Sequence, residues 1–223
     1  MSGPRYPQFC ALARAAEIVG ERWTLLAIRE LLLGPKRFTD LSARLTGVSP
    51  TVLTARLNAL IDTGVVRRVT SQPFNVQAYE LTESGRELQP AIRELIRWGG
   101  RFLFPMNPDD AFEPDWVLLG LDAVLRRTPT PPRKIVLRVR YKSQAASFLV
   151  EGGPDGATIV KSEGPGGATV EARFDTLLRI ISTALPLEQA IADRLATVEG
   201  SMRIARSLPR LFDLSDRRSV KSG

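Results

Sequence analysis

The stretch LLLGPKRFTDLSARLTGVSPTVLTARL, residues 31–57, does most to limit how this chain can fold. An apolar helix stops at Gly34-Pro35, two cations follow at Lys36 and Arg37, and helices then restart twice, at Thr39 and after Ser49. Short helices at close spacing bury little surface each, so they must pack on a longer neighbour. That neighbour is WTLLAIRELLLG, residues 23–34, which is apolar nearly all round and reads as the centre of a core.

The surrounding sequence completes the pattern. Ala11, Leu12, Ala15, Ile18 and Val19 recur at helical spacing before Gly20 ends the run. Ser49 is a good N-cap, and Pro50 stands at the first helical position, where its missing N–H costs nothing. That helix should run to about Thr63 and end at Gly64. VVRRVT and QAYELT then read as two strands joined by a loop of about six residues, SQPFNV. A new helix follows in GRELQPAIRELIRWGGRFLF, with a kink or a start expected at Pro90.

Helix, helix, short helix, projecting helix and hairpin, in that order, specify a winged helix-turn-helix, which places helix 49–63 in a DNA major groove. Leu53, Leu57, Leu60 and Ile61 share one side of it, while Thr51, Ala55, Asn58 and Ala59 face away. The candidate DNA-binding set is Lys36, Arg37 and Thr39 in and after the turn, then Ser49, Thr51, Thr54, Ala55, Arg56 and Asn58 on the helix. Arg67, Arg68, Asn75 and Gln77 on the hairpin complete it, with Gln72 near the tip. Long cations suit phosphate or guanine edges, and small polar side chains can approach bases without clashing.

Charge and composition agree with a polyanionic partner. The net charge is +7, and residues 1–106 carry 14 Lys/Arg against 9 Asp/Glu, so most of the excess lies there. The absence of histidine removes the commonest general base and metal ligand, and no Glu/Asp pair or serine elbow suggests catalysis. No catalytic residue, cofactor or metal site is therefore expected, and the protein is not read as an enzyme. Cys10 is the only cysteine, which excludes an internal disulfide. No apolar run reaches the roughly 18 residues of a membrane span, and the N-terminus lacks a leader pattern, so a cytoplasmic protein is expected.

IVGERWTLLAIRELLLGPKRFTDL, GVSPTVLTARLNALIDTGVVRR, YELTESGREL and a later Trp resemble the HxlR family of bacterial winged-helix regulators from about Cys10 to Gly99. The resemblance implies a transcriptional regulator, more often a repressor, binding a palindromic operator as a homodimer. It also implies a dimer interface on the N-terminal helix and the helix at 86–103, where Ile92, Leu95, Ile96, Phe102 and Leu103 are suitable. Some members carry an oxidant-sensing cysteine near the first helix, which makes Cys10 a redox candidate. Its neighbour Ala11 replaces the usual proline, and no second cysteine is present to resolve a sulfenate.

The organisation expected is a winged helix-turn-helix domain over 1–106, a proline-rich linker over 107–115, a second domain over 116–213 and a disordered tail over 214–223. The second domain reads as α+β: a helix near 116–127 and strands in KIVLRVRY, QAASFLVEG, GATIVKS and GATVEARF. Helices follow near 174–185, 187–195 and 201–213. An antiparallel sheet is expected, with GGPDG and EGPGG both as hairpin turns. The order resembles the sterol carrier protein type 2 fold, which implies an apolar tunnel for a lipid-like effector. Its candidate lining is Phe148, Val150, Leu177, Ile180, Ile181, Leu185, Ile191 and Leu195. The alternative is a lipid-binding carrier or scaffold whose winged helix mediates protein contacts.

Overall fold

The computed structural model describes residues 5–71, 75–103, 107 and 109–214. Two compact units divide at Ile92/Arg93. That division falls inside a helix, whereas the sequence reading places its linker at 107–115; residues 104–106 and 108 lie outside the described set.

The first unit contains α1 (Ala11–Val19), α2 (Thr24–Leu32), α3 (Phe38–Arg44), α4 (Pro50–Asp62), β1 (Val66–Ser71), β2 (Val76–Leu81), α5 (Glu83–Arg86) and the start of α6 (Gln89–Gly99). Ala27, Ile28 and Leu31 on α2 are buried with Leu41, Leu45, Leu53, Leu57 and Leu60 from the two helices that follow, as a central α2 requires. Two buried residues of α2 are not apolar, Thr24 and Glu30; Glu30 is fully enclosed and pairs with Arg29 and Arg44. Pro90 falls in the first turn of α6, so its ring starts the helix rather than kinking it.

The hairpin is joined to the helices by two short devices. Lys36 and Tyr79 exchange backbone hydrogen bonds of 3.0 and 2.8 Å, which draws the α2–α3 turn onto β2. The Thr82 hydroxyl donates to the Gly64 carbonyl at 2.6 Å and accepts from the Gly85 N–H at 3.1 Å. Gly85 itself must lack a side chain, because a Cβ there would lie 2.2 Å from the Val65 carbonyl oxygen. These contacts tie Thr82 and Gly85 of YELTESG to Gly64 and Val65, between α4 and β1.

The second unit contains the rest of α6, a 3₁₀ turn at Gly100–Phe102, α7 (Pro114–Ala123), β3 (Lys134–Tyr141), β4 (Gln144–Gly153), β5 (Gly156–Lys161) and β6 (Ala168–Arg173). It continues through α8 (Phe174–Ile181), α9 (Leu187–Ala192), β7 (Ala196–Gly200), α10 (Met202–Ala205) and a 3₁₀ turn at Leu208–Leu211. Within it, Arg93 bonds Asp122 at 2.8 Å, and Arg97 donates to the Ala123 carbonyl. Helix α7 begins and ends earlier than the sequence suggests, and the last helical segment is broken into α10 and a 3₁₀ turn. Residues 215–223 of the expected tail lie outside the described set, while Leu214 packs against the core.

The sheet corrects one expectation. Its order is β5-β4-β3-β6-β7, and β3 pairs with β6 in parallel, so the sheet is mixed rather than antiparallel. GGPDG does form a hairpin turn, with Gly153 paired to Gly156. EGPGG does not: it carries the chain from β5 across to β6, which are not neighbours. Parallel strands ordinarily need a connection of a dozen or more residues. Here the stagger shortens it. Lys161 at the end of β5 stands level with Phe148 and hence Leu137, while β6 starts with Ala168 level with Ile135. The chain therefore needs to travel roughly 14 Å sideways over three strand spacings and only about 7 Å back along the strands.

One sheet face is core. Ile135, Leu137, Val139, Phe148, Val150, Val170 and Ala172 are buried on it with residues of α7 and α8. The opposite face carries cross-strand pairs: Arg138–Glu199 at 3.2 Å, Arg140–Glu171 at 3.1 Å, and Lys134 with Glu151. Val136 shares this face by strand alternation and is nevertheless buried. A Cβ on Gly166 would stand 3.1 Å from its methyl, so the crossover lies against it.

Candidate nucleic-acid interface

Helix α4 is built as its sequence requires. The Ser49 hydroxyl accepts from the Val52 N–H at 3.3 Å, Pro50 fills the first turn, and Gly64 takes φ +72° beyond the last one. Leu53, Leu57 and Leu60 face inward. Thr51, Thr54, Ala55 and Asn58 are exposed, giving a row of short side chains along the outward face.

The cations around α4 are more constrained than their positions in sequence indicate. Arg56 is half-buried and pairs with Glu21 at 3.3 Å, so its guanidinium is drawn toward the unit rather than left on the flank. Successive residues of a strand point to opposite faces. Arg68 therefore shares a face of the hairpin with Val66 and Thr70 and with the cross-strand partners Leu81, Tyr79 and Gln77, and Arg67 shares the other with Glu80. Arg67 Nε donates to Glu80 Oε1 at 2.6 Å, and Arg68 Nη2 donates to Asn58 Oδ1 at 2.8 Å.

The face carrying Arg68 is thus the one turned to α4, and Arg67 is not part of it. This separation follows from strand alternation alone. Lys36 and Arg37 lie immediately before α3, where the Arg37 N–H donates to Asp40 Oδ2 at 3.2 Å. Thr39, Ser49, Asn75 and Gln77 are exposed; Asn75 closes the hairpin with φ +51°. Gln72 lies outside the described residues.

The other candidates are scattered by the fold. Cys10 is exposed and caps α1 without a side-chain hydrogen bond. Arg14, one helical turn on, donates to both carboxylate oxygens of Glu17 at 3.0 and 2.8 Å. The Arg14 hydrogen bond, reinforced by the Tyr6 N–H, holds the Glu17 carboxyl below the usual range. In the second unit, Phe148, Val150, Leu177, Ile180, Ile181 and Leu185 are all buried in one core cluster, and Ile191 packs partly buried against it. Leu195 is 40% exposed and lies outside that cluster. No group of three potential metal ligands occurs among the described residues, and no helix there is long and apolar enough to cross a membrane.

A hairpin joined to a three-helix support, with a helix whose outward face is short and polar, defines a winged helix-turn-helix protein. A family model described as HxlR-like helix-turn-helix matches residues 18–107. The HTH-type transcriptional regulator YvaP of Bacillus subtilis is 34% identical over 94 residues, which are 41% of this chain and 86% of that protein. YodB of the same organism, also an HTH-type transcriptional regulator, is 34% identical over 92 residues, 41% of this chain and 82% of its own. The chain belongs to the HxlR family. The HTH-type transcriptional regulator Rv3095 of Mycobacterium tuberculosis is 44% identical over 95 residues, 42% of this chain. The chain spans 59% of that relative's length. The solved structure of reduced YodB is 31% identical, covering 45% of this chain and all of that one, with a TM-score of 0.38.

Proposed function

We propose that the protein is a DNA-binding transcriptional regulator that acts as a repressor on a palindromic operator, with α4 in the major groove. The observation that carries this reading is the exposed row Thr51, Thr54, Ala55 and Asn58, backed by a buried leucine ridge and joined to the hairpin through Arg68. Lys36, Arg37 and Gln77 flank it as backbone-positioning groups, since contacts to phosphate fix register without reading sequence. The test is binding to genomic DNA fragments as a function of salt. Lys36→Ala with Arg37→Ala is expected to flatten the slope of log K against log salt by about 0.9 for each phosphate that is no longer neutralised. Arg67→Ala should leave it nearly unchanged, because Arg67 stands on the opposite face with Glu80. An unchanged slope in the Lys36/Arg37 variant would remove that turn from the interface.

The regulator is proposed to act as a homodimer. Exposed apolar side chains of the kind a dimer covers are present in each unit: Phe9 and Leu12 in the first, and Leu95, Trp98, Phe102 and Leu103 in the second. Ile92, by contrast, is buried and belongs to the core of its own unit. The second unit is proposed to sense a hydrophobic molecule. The succession of β4, β5, β6, α8, α9 and β7 supports the resemblance to sterol carrier proteins, and six of the eight candidate lining residues, all but Ile191 and Leu195, are buried in one core cluster. Native mass spectrometry tests both statements. The wild type is expected as a dimer with retained small-molecule mass, and Leu95→Glu with Trp98→Glu as a monomer. A wild-type monomer, or a double variant that stays dimeric, would exclude this surface.

A further inference from the structure

The bond between Arg68 and Asn58 fixes more than the position of the hairpin. A guanidinium has only donors, so the atom that faces Arg68 Nη2 at 2.8 Å must be the amide oxygen of Asn58. The Asn58 amide therefore has one orientation, with Oδ1 held by the hairpin and the Nδ2 hydrogens directed elsewhere. Both residues are exposed, so the pair lies on the surface rather than in the core. Asn58 stands two helical turns beyond Thr51 on the outward side of α4, where Thr54 and Ala55 are too short to obstruct it.

We infer that Arg68 holds Asn58 as a donor, so that the pair selects guanine at one position in each half of the operator. This rests on the proposed DNA-binding role of α4. A free asparagine reads adenine by using both ends of its amide: the oxygen accepts from N6 and the nitrogen donates to N7. Oδ1 keeps a second lone pair, but with that oxygen turned to the hairpin the outward groups are the Asn58 amide hydrogens and the remaining Arg68 hydrogens, all donors. Guanine presents two acceptors in the major groove, N7 and O6, and takes both. Adenine and cytosine set an amino group against these donors, and thymine offers one acceptor beside a methyl group. The residue that reads the base and the residue that decides which base is read are thus on different elements, α4 and β1.

The experiment is selection of randomised duplexes by the full-length protein, followed by sequencing, for the wild type and two variants. The wild type should enrich guanine about tenfold or more over each other base at one position per half-site. In Arg68→Leu the amide is released, and that position should change to adenine while the others keep their preference. Asn58→Asp retains an acceptor for Arg68 but replaces the outward amide hydrogens with an acceptor oxygen, and should favour cytosine at the same position. Identical selected sequences for wild type and Arg68→Leu would overturn the inference. So would salt-dependent wild-type binding with no base preference, which would leave the DNA-binding reading intact. Failure of the wild type to bind any duplex would instead remove that reading, and this one with it.

Discussion

Glu30→Gln is expected to reduce the slowest amide protection factors of α2 by two orders of magnitude or more. Glu30 lies on the central helix of the first unit and is 0% exposed. Its Oε1 accepts from Arg29 at 2.7 and 3.1 Å, and Arg44 approaches Oε2 at 3.5 Å. Desolvating a carboxylate costs several kcal/mol, which a buried pair recovers only through close geometry. Removing one partner leaves the other charges without compensation, typically at a cost of about 3–5 kcal/mol. The glutamine keeps the shape and one acceptor, but two half-buried guanidinium groups lose their counter-charge. Hydrogen exchange read at α2 and α3 isolates this unit from the C-terminal one, which a whole-chain melting curve would not. Protection within threefold of wild type would show that the cluster contributes little. Arg44 closes α3, the helix that supports α4, so the substitution is also expected to weaken DNA binding.

The same residue shows where the sequence stops being readable. WTLLAIRELLLG has the composition of a buried helix, and Ala27, Ile28 and Leu31 confirm it, but nothing local distinguishes a glutamate that will be enclosed from one that will face water. That depends in part on Arg44, which only the fold brings beside Arg29 and Glu30. Signals carried by adjacent residues are legible: Ser49-Pro50 and Gly64 bound α4, and four strands of the second unit lie within a residue or two of their sequence limits. Alternation also separates Arg67 from Arg68, although two adjacent arginines invite reading as one basic patch. The parallel pairing of β3 with β6 is not legible, because it depends on the register of β5 two strands away. A glycine-rich stretch such as EGPGG reads identically as a hairpin turn or a crossover. The Arg68–Asn58 bond likewise joins two elements that only the folded unit brings together.

Phe148→Ala tests what the interior of the second unit is. Phe148 is fully buried in the middle of β4, paired to Leu137 on one side and Lys161 on the other, and it belongs to the same core cluster as Leu177, Ile180 and Ile181. If these side chains pack against one another, truncation removes an aromatic ring and leaves a void that fixed strands on both sides cannot close. Such substitutions cost about 3–5 kcal/mol, and urea unfolding of the second unit should show a destabilisation of that size with an unchanged m-value. If Phe148 instead borders a space that a hydrophobic molecule fills, the ring already lacks partners on one side, and the cost falls toward about 1–2 kcal/mol of transfer free energy. The described core, in which Leu137, Leu177, Ile180 and Ile181 are at most 2% exposed, favours the larger value. An effector would then enter only by displacing packed side chains, and its binding would be coupled to a rearrangement of α8 and β4. A destabilisation below about 2 kcal/mol would mean that the space exists before the ligand arrives.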